Sequence, residues 1–430
     1  MISMYKKPRP DWKRRQLKST VQGPTNGAWG DDAGKDDYDA RCIRVADFDW
    51  PHLCIHSENP TVRSFNRAQF KRLKLQKGDL IIEKSGGGDK TPVGRVVEFN
   101  SDEEAVTSNF VARMRVEPGH NGAFIKYLFA AHYISGFSKQ FIKQATGIQN
   151  LDDNQFLQSA CWLPDEDEQS AIADYLDRET GRIDGLIEYK TRFIALLKEK
   201  RAAVIDHAVT KGIDRNVEMK PSGVEWIGDI PAHWDAPRIA TLFREAFRTP
   251  DPDLPVLSVS IHNGVSDGEL SDEERDRKVA LSEDRTKYQG VEPGDLVYNM
   301  MRAWQGAFGA VAVSGLVSPA YVVARPIAEF RTKFLEHLLH TKSAAEEIRR
   351  YSRGIADFRM RLYWEYFRDI RVCLPPLSEQ DEILSHIDRE TARIEGLIEK
   401  TERSIALLKE KRAALITAAV TGKIDVRAAA

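Results

Sequence analysis

The sequence predicts an α+β fold: two globular α+β domains, each followed by a long α-helix, the two helices pairing as an antiparallel coiled coil with pseudo-two-fold symmetry. Three observations carry this expectation. The stretch ALLKEKRAA occurs at Ala195–Ala203 and again at Ala406–Ala414. Sliding the chain by 211 positions aligns Leu163–Asp214 with Leu374–Asp425 without a gap, about 32 of the 52 pairs being identical. A repeat of that period is a duplicated domain rather than a solenoid. Finally, both copies carry apolar residues at alternating steps of four and three, the seam of a paired helix.

The expected organisation is a first domain over 1–162, a helix over 163–214, a second domain over 215–373, a helix over 374–425 and a tail over 426–430. Each domain combines short β-branched and aromatic runs bounded by Gly and Pro (GRVVEF, VLSVSI, DLVYNM, AYVVARP) with one helical stretch, FIKYLFAAHYIS or KFLEHLLHTKSAAEEIRRYS. Landmarks correspond between the domains although little sequence does. DWKRRQL matches HWDAPRI, KGDLII matches PGDLVY, TGI matches RGI, and both domains end on Leu-Pro.

In the first helix the seam reads Leu176, Thr180, Ile183, Ile187, Lys190, Ile194, Leu197, Arg201, Val204 and Ala208. In the second it reads Ile387, Thr391, Ile394, Ile398, Thr401, Ile405, Leu408, Arg412, Leu415 and Ala419. Ser378 with Asp381 forms a capping-box pattern, Asp167 is the corresponding N-cap, and Gly212 and Gly422 are the C-cap glycines. Each helix spans about 40 residues, or about 60 Å. A helix so long with one narrow stripe needs a partner, and the other copy supplies a matching seam. Arg201 and Arg412 fall on the seam and are expected to face acids across it, because an unpaired buried charge is costly.

Composition narrows the function. The chain has 430 residues and a net charge of −2, with 42% hydrophobic and 30% charged residues, an ordinary globular balance. No apolar run is long enough to span a membrane, and MISMYKKPRPDWKRR has no apolar core behind it, so a cytoplasmic location is expected. Cys42, Cys54, Cys161 and Cys373 show no CxxC spacing; reduced thiols are expected, with no metal and no cofactor. Near-neutral charge argues against a general nucleic-acid binder and leaves room for local patches. No GxGxxG after a strand, Walker A, HExxH or GxSxG motif is present, and His207 has Ala418 as its counterpart.

PSGVEWIGDIPAHW, GDLIIEKSGGGDKTPVGRV, LPPLSEQDEI, IDRETARIEGLIEK and IALLKEKRAALITAAVTGKID resemble segments of the specificity subunit of type I restriction–modification systems. The resemblance covers nearly the whole chain, although the first domain lacks the SGVEWIG opening. It implies a non-catalytic DNA reader in which each globular part is a target recognition domain for one half of a bipartite, asymmetric double-stranded DNA site. The paired helices act as a ruler, dock two modification (adenine methyltransferase) subunits, and leave room for two restriction (translocase–nuclease) subunits. The alternative is a coiled-coil adaptor that reads no DNA sequence.

Arg and Lys suit guanine, and Asn and Gln suit adenine. GIQNLDDNQF and GIADFRMRLY occupy corresponding places with different polar groups, as two unlike half-sites require. Gln149 and Asn150 in the first domain, and Arg353, Arg359 and Arg361 in the second, are therefore candidate readers. The KSGGGDKT loop contributes Lys84, Ser85 and Lys90. It is no P-loop, because Asp89 stands where Gly belongs. Arg302 and Gln305 are further candidates, and Arg63–Lys77 holds six basic residues and no acid.

Overall fold

A computed structural model describes residues 9–56, 58–145, 147–261, 264–270, 284–354 and 360–426. The chain divides into two compact units, Met1–Thr191 with Glu402–Ala430, and Arg192–Thr401. The division cuts through both long helices, α4 (Glu166–Lys211) and α9 (Leu377–Val420). Each unit thus holds one globular domain, the near half of the helix that follows it and the far half of the other. The sequence partition treats the helices as separate segments; packing shares them out.

In the first unit, Leu80–Glu83 pairs antiparallel with both Val96–Glu98 and Val111–Met114 at the centre of a six-stranded sheet. A second sheet is built on Tyr38–Ile43 and Val62–Phe65. Three helices accompany them: α1 (Arg67–Leu73), α2 (Gly122–Ile134) and α3 (Asp153–Gln158). α2 starts where Asn121 Oδ1 accepts the Phe124 N–H (2.9 Å), a side-chain N-cap. It is apolar nearly all round, so it is buried: Phe124, Leu128 and Ala131 share one core with Leu80, Val96 and Leu176.

The second unit repeats the frame. Leu296–Asn299 pairs antiparallel with Phe308–Ala310 and Tyr321–Pro326. Gly78 and Gly294 precede the two central strands at φ of 91° and 94°, a turn glycine makes without strain. The Asp after each glycine accepts a backbone N–H three residues earlier, Gln76 to Asp79 and Glu292 to Asp295. The helices are α5 (Ile239–Leu242), α6 (Thr332–Leu339), α7 (Lys342–Tyr351) and α8 (Trp364–Phe367). The single helical stretch expected over KFLEHLLHTKSAAEEIRRYS is two helices. Thr341 Oγ1 caps the Ala344 N–H and restarts the chain as α7.

The helices pair antiparallel in both units. In the first, Leu176 shares a core with Ile416, Ala419 and Val420, and Asp184 further along α4 meets Arg412 further back on α9 (3.0 Å). In the second, Ala208 and Val209 share a core with Ile383 and Ile387, while Arg201 meets Glu395 (3.2 Å). Positions 184 and 395, and 201 and 412, are equivalents under the 211-residue offset, so one contact recurs with the helices exchanged. Along the seam Leu176, Ile183, Leu197, Ile387 and Ile394 are buried, and Ile187, Ile194, Ile398, Ile405 and Leu408 are half-buried.

The helix starts differ from the expected caps. Asp165, not Asp167, accepts the Glu168 N–H (2.9 Å), and Ser378 lies inside the first turn of α9, where Pro376 carbonyl accepts from Glu379 and Gln380. The residues that matter are the next two, identical in both copies. Glu168 accepts from Trp12 Nε1 (3.2 Å) and Arg9 (2.7 Å); Glu379 accepts from Trp234 Nε1 (3.1 Å) and meets His233 Nε2 (2.7 Å). Gln169 takes the Asn121 N–H and donates to Pro164 carbonyl; Gln380 takes the Arg331 N–H and donates to Pro375 carbonyl. These bonds fasten each helix to its own domain, with a carboxylate in the first turn, where the helix dipole favours it.

Candidate nucleic-acid interface

In the first unit Ile142–Ala145 and Ile148–Leu151 form a hairpin whose second strand pairs with Ser85–Gly86. Burial alternates along the second strand: Ile148 exposed, Gln149 buried, Asn150 exposed, Leu151 buried. That is the signature of one face on the core and one in water. Register sets Asn150 between Lys143 and Ser85, and Ser85 Oγ donates to Asn150 Oδ1 (2.6 Å). Lys143, exposed, pairs with Asp152 (2.7 Å). The hairpin therefore presents a row of Lys, Asn and Ser to solvent.

Gln149 points the other way. It is 6% exposed, and its Oε1 accepts the Val93 N–H (3.3 Å), which holds the loop rather than facing outward. Lys84 is committed as well, to Asp153 (2.7 Å) and Asn26 (2.7 Å). Lys90 is exposed on the glycine loop. That loop is a tight turn closed by Gly88 and Thr91, and a Cβ on Gly87 would stand 2.9 Å from the Thr91 carbonyl.

In the second unit Arg353 and Arg361 stand opposite one another, each N–H bonded to the other's carbonyl (2.8 and 2.9 Å). Both side chains are exposed, and the Arg353 guanidinium lies over Tyr366 at 4.6 Å. Arg359 lies outside the described residues. Leu362 N–H donates to Met300 carbonyl, just as Leu151 N–H donates to Lys84 carbonyl, both at 2.8 Å. These bonds set the equivalences. Asn150 corresponds to Arg361 and Lys143 to Arg353, a shift from the pairing of TGI with RGI. Met300 leads directly into Arg302, half-buried, and Gln305, exposed, around a short 3-10 turn. Trp304 beside them is half-buried under the Arg349 guanidinium (5.6 Å).

The structure thus gathers Lys84, Ser85 and Asn150 in one place and Arg302, Gln305, Arg353 and Arg361 in another. Sequence reasoning missed Lys143 and Tyr366. Lys143 sits one strand before its partner, and only pairing register joins them. Half of the six bases in Arg63–Lys77 are neutralised: Arg63 meets Asp32 (2.7 Å), Lys77 meets Asp102 (3.3 Å), and Lys74 meets Glu104. Asp79 and Glu83 are taken by Arg115 (3.1 Å) and Arg95 (2.8 Å). Among the described residues no group of three His, Cys, Asp or Glu is placed to hold a metal, and no helix is long and apolar enough to cross a membrane.

Two globular α+β domains on an antiparallel helix pair, each with an exposed polar cross-strand pair, define the architecture. No family model matches the chain, and no curated protein matches its sequence. Solved structures do match its fold. A chain from a structure concerning complex assembly and conformational transition of the type I R–M system is 13% identical; the match covers 97% of this chain and 100% of that one, with a TM-score of 0.66. The HsdS subunit from Thermoanaerobacter tengcongensis is 14% identical, over 99% and 100%, with a TM-score of 0.56. The chain has the fold of type I restriction–modification specificity subunits.

Proposed function

We propose that this chain is the non-catalytic DNA-recognition subunit of a type I restriction–modification complex. Each domain reads one half of a bipartite, asymmetric site, and the paired helices fix the gap and dock two adenine methyltransferase subunits, to which two restriction subunits add. The observation that carries this reading is the contrast between frame and hairpin. The Trp–Glu tie and the Gln–proline carbonyl tie at each helix start are the same in both copies, whereas the exposed cross-strand pair changes from Lys143–Asn150 to Arg353–Arg361. An unchanged frame suits two copies of one partner. Unlike outward pairs suit two different base sequences, because Asn favours adenine and Arg favours guanine.

The test is a single-molecule methylome of host DNA with and without the gene. Loss of adenine methylation at one bipartite, asymmetric motif is the expected result. Unchanged methylation, in a host where the chain co-purifies with an active methyltransferase, refutes the reading in favour of an adaptor.

A further inference from the structure

Beside the base of the first hairpin runs the strand Lys13–Gln16, antiparallel to Ala160–Leu163, with all four side chains exposed. Arg14, Arg15 and Gln16 line one open cleft with Phe141, Gln155 and Gln158. Phe141 immediately precedes the hairpin, and its carbonyl accepts the Asp152 N–H that closes it. Gln155 and Gln158 are exposed on α3, which follows the hairpin directly. The cleft lining contains no carboxylate. Lys13 and Arg14 have no ion-pair partner among the described residues, and Arg15 donates only to the Arg14 carbonyl.

The second unit has the same strand with less positive charge. Backbone bridges join Asp235 to Leu374 and Arg238 to Arg371, as Lys13 joins Leu163 and Gln16 joins Ala160. Three bases and no acid in Lys13–Gln16 become one acid and one base in Asp235, Ala236, Pro237 and Arg238, and although Arg371 replaces Ala160 on the facing strand, donating to the Ala236 carbonyl (3.1 Å), the strand pair falls from +3 to +1. The counterpart of Gln158 is Asp369, which pairs with Arg238 (3.8 Å).

We infer that the Lys13–Gln16 edge is a phosphate track present on the first domain alone, contacting the DNA backbone beside the half-site that this domain reads. The inference rests on the DNA-reading role proposed above. Exposed guanidinium, ammonium and amide groups without acids fit phosphate oxygens and carry no base information. Continuity with the hairpin base places them where a backbone passes once the hairpin enters a groove. The two half-sites are then held unequally, one with a sequence-independent, salt-sensitive anchor and one chiefly by its base contacts.

The experiment compares the full chain, co-expressed with its modification subunit, with a variant carrying Lys13→Gln, Arg14→Gln and Arg15→Gln. Binding to a fluorescein-labelled duplex holding the methylated motif, and to one of random sequence, is followed against salt. Each lost phosphate contact lowers the slope of log K against log[salt] by about 0.9, so a fall of about two to three is expected on both duplexes. The motif itself stays the same. Arg14→Lys with Arg15→Lys keeps the wild-type slope, since a point charge still meets a phosphate, and thermal melting confirms that both variants fold. An unchanged slope in a variant that still prefers the motif overturns the track and leaves the reading role intact. Loss of the modification subunit with an unchanged slope also overturns it, and assigns the edge to an acidic protein surface. A wild-type complex that does not distinguish the two duplexes overturns the DNA-reading role itself.

Discussion

The duplicated seam contains a controlled comparison. Arg201 and Arg412 are the same residue at equivalent positions, each facing an acid on the other helix, yet their surroundings differ. The Arg412 and Asp184 side chains are 13% and 16% exposed, and Arg412 Nε reaches both carboxylate oxygens at 3.0 and 3.2 Å. The Arg201 and Glu395 side chains are 42% and 62% exposed, with one contact at 3.2 Å. At an effective dielectric of about 20, charges 3 Å apart attract by about 5 kcal/mol, of which desolvation and side-chain ordering take back roughly half. In water the second pair attracts by about 1 kcal/mol before screening, and the net is about 0–1 kcal/mol. Arg412→Met therefore costs about 2 kcal/mol, because it also strands Asp184, and Arg201→Met costs under 1 kcal/mol. Native-state hydrogen exchange measures this locally. Amides over 180–188 and 408–416 should exchange about 30-fold faster in the first variant, and those over 197–205 and 391–399 less than about fivefold faster in the second. Adding Asp184→Asn to Arg412→Met should restore most of the loss, since no charge is then left unpaired. Equal acceleration in both variants, or none around Arg412, would refute the burial argument.

Other outcomes are expected. Arg361→Ala should relax one base position of a single half-site by about 1–3 kcal/mol, seen as a degenerate letter in the methylation motif; a change in both half-sites counts against one reader per domain. Inserting one heptad into both helices in register adds about 10 Å, and the gap in the methylated motif should grow by about three base pairs; an unchanged gap removes the ruler. Burial pushes His132 from 6.5 down to about 4, so between those values the unfolded chain takes up a proton that the folded chain refuses. Stability from this group is complete above about pH 6.5 and falls by about 3 kcal/mol as the pH drops toward 4. His132→Gln, which keeps a donor for the Leu128 carbonyl, should flatten that part of a urea-midpoint profile; an unaltered slope would contradict it.

The sequence by itself determined the architecture. A domain-sized repeat and a four–three seam are local periodicities, readable without knowing what touches what, and they require two long helices that pair. They also singled out Arg201 and Arg412, because a charge on an apolar stripe needs an acid opposite. Tertiary structure decided everything that depends on register and burial. It made Asp165 the cap instead of Asp167, and gave Glu168, Gln169, Glu379 and Gln380 the bonds that fasten helix to domain. It turned Gln149 inward and Asn150 outward, a choice set by which face of a two-residue period meets the core. It spent Lys84 on Asp153 and joined Lys143 to Asn150 and Arg353 to Arg361. Cross-strand neighbours are separated in sequence by turns of variable length. Their pairing is fixed by the strands and core around them, and no local pattern in the chain records it.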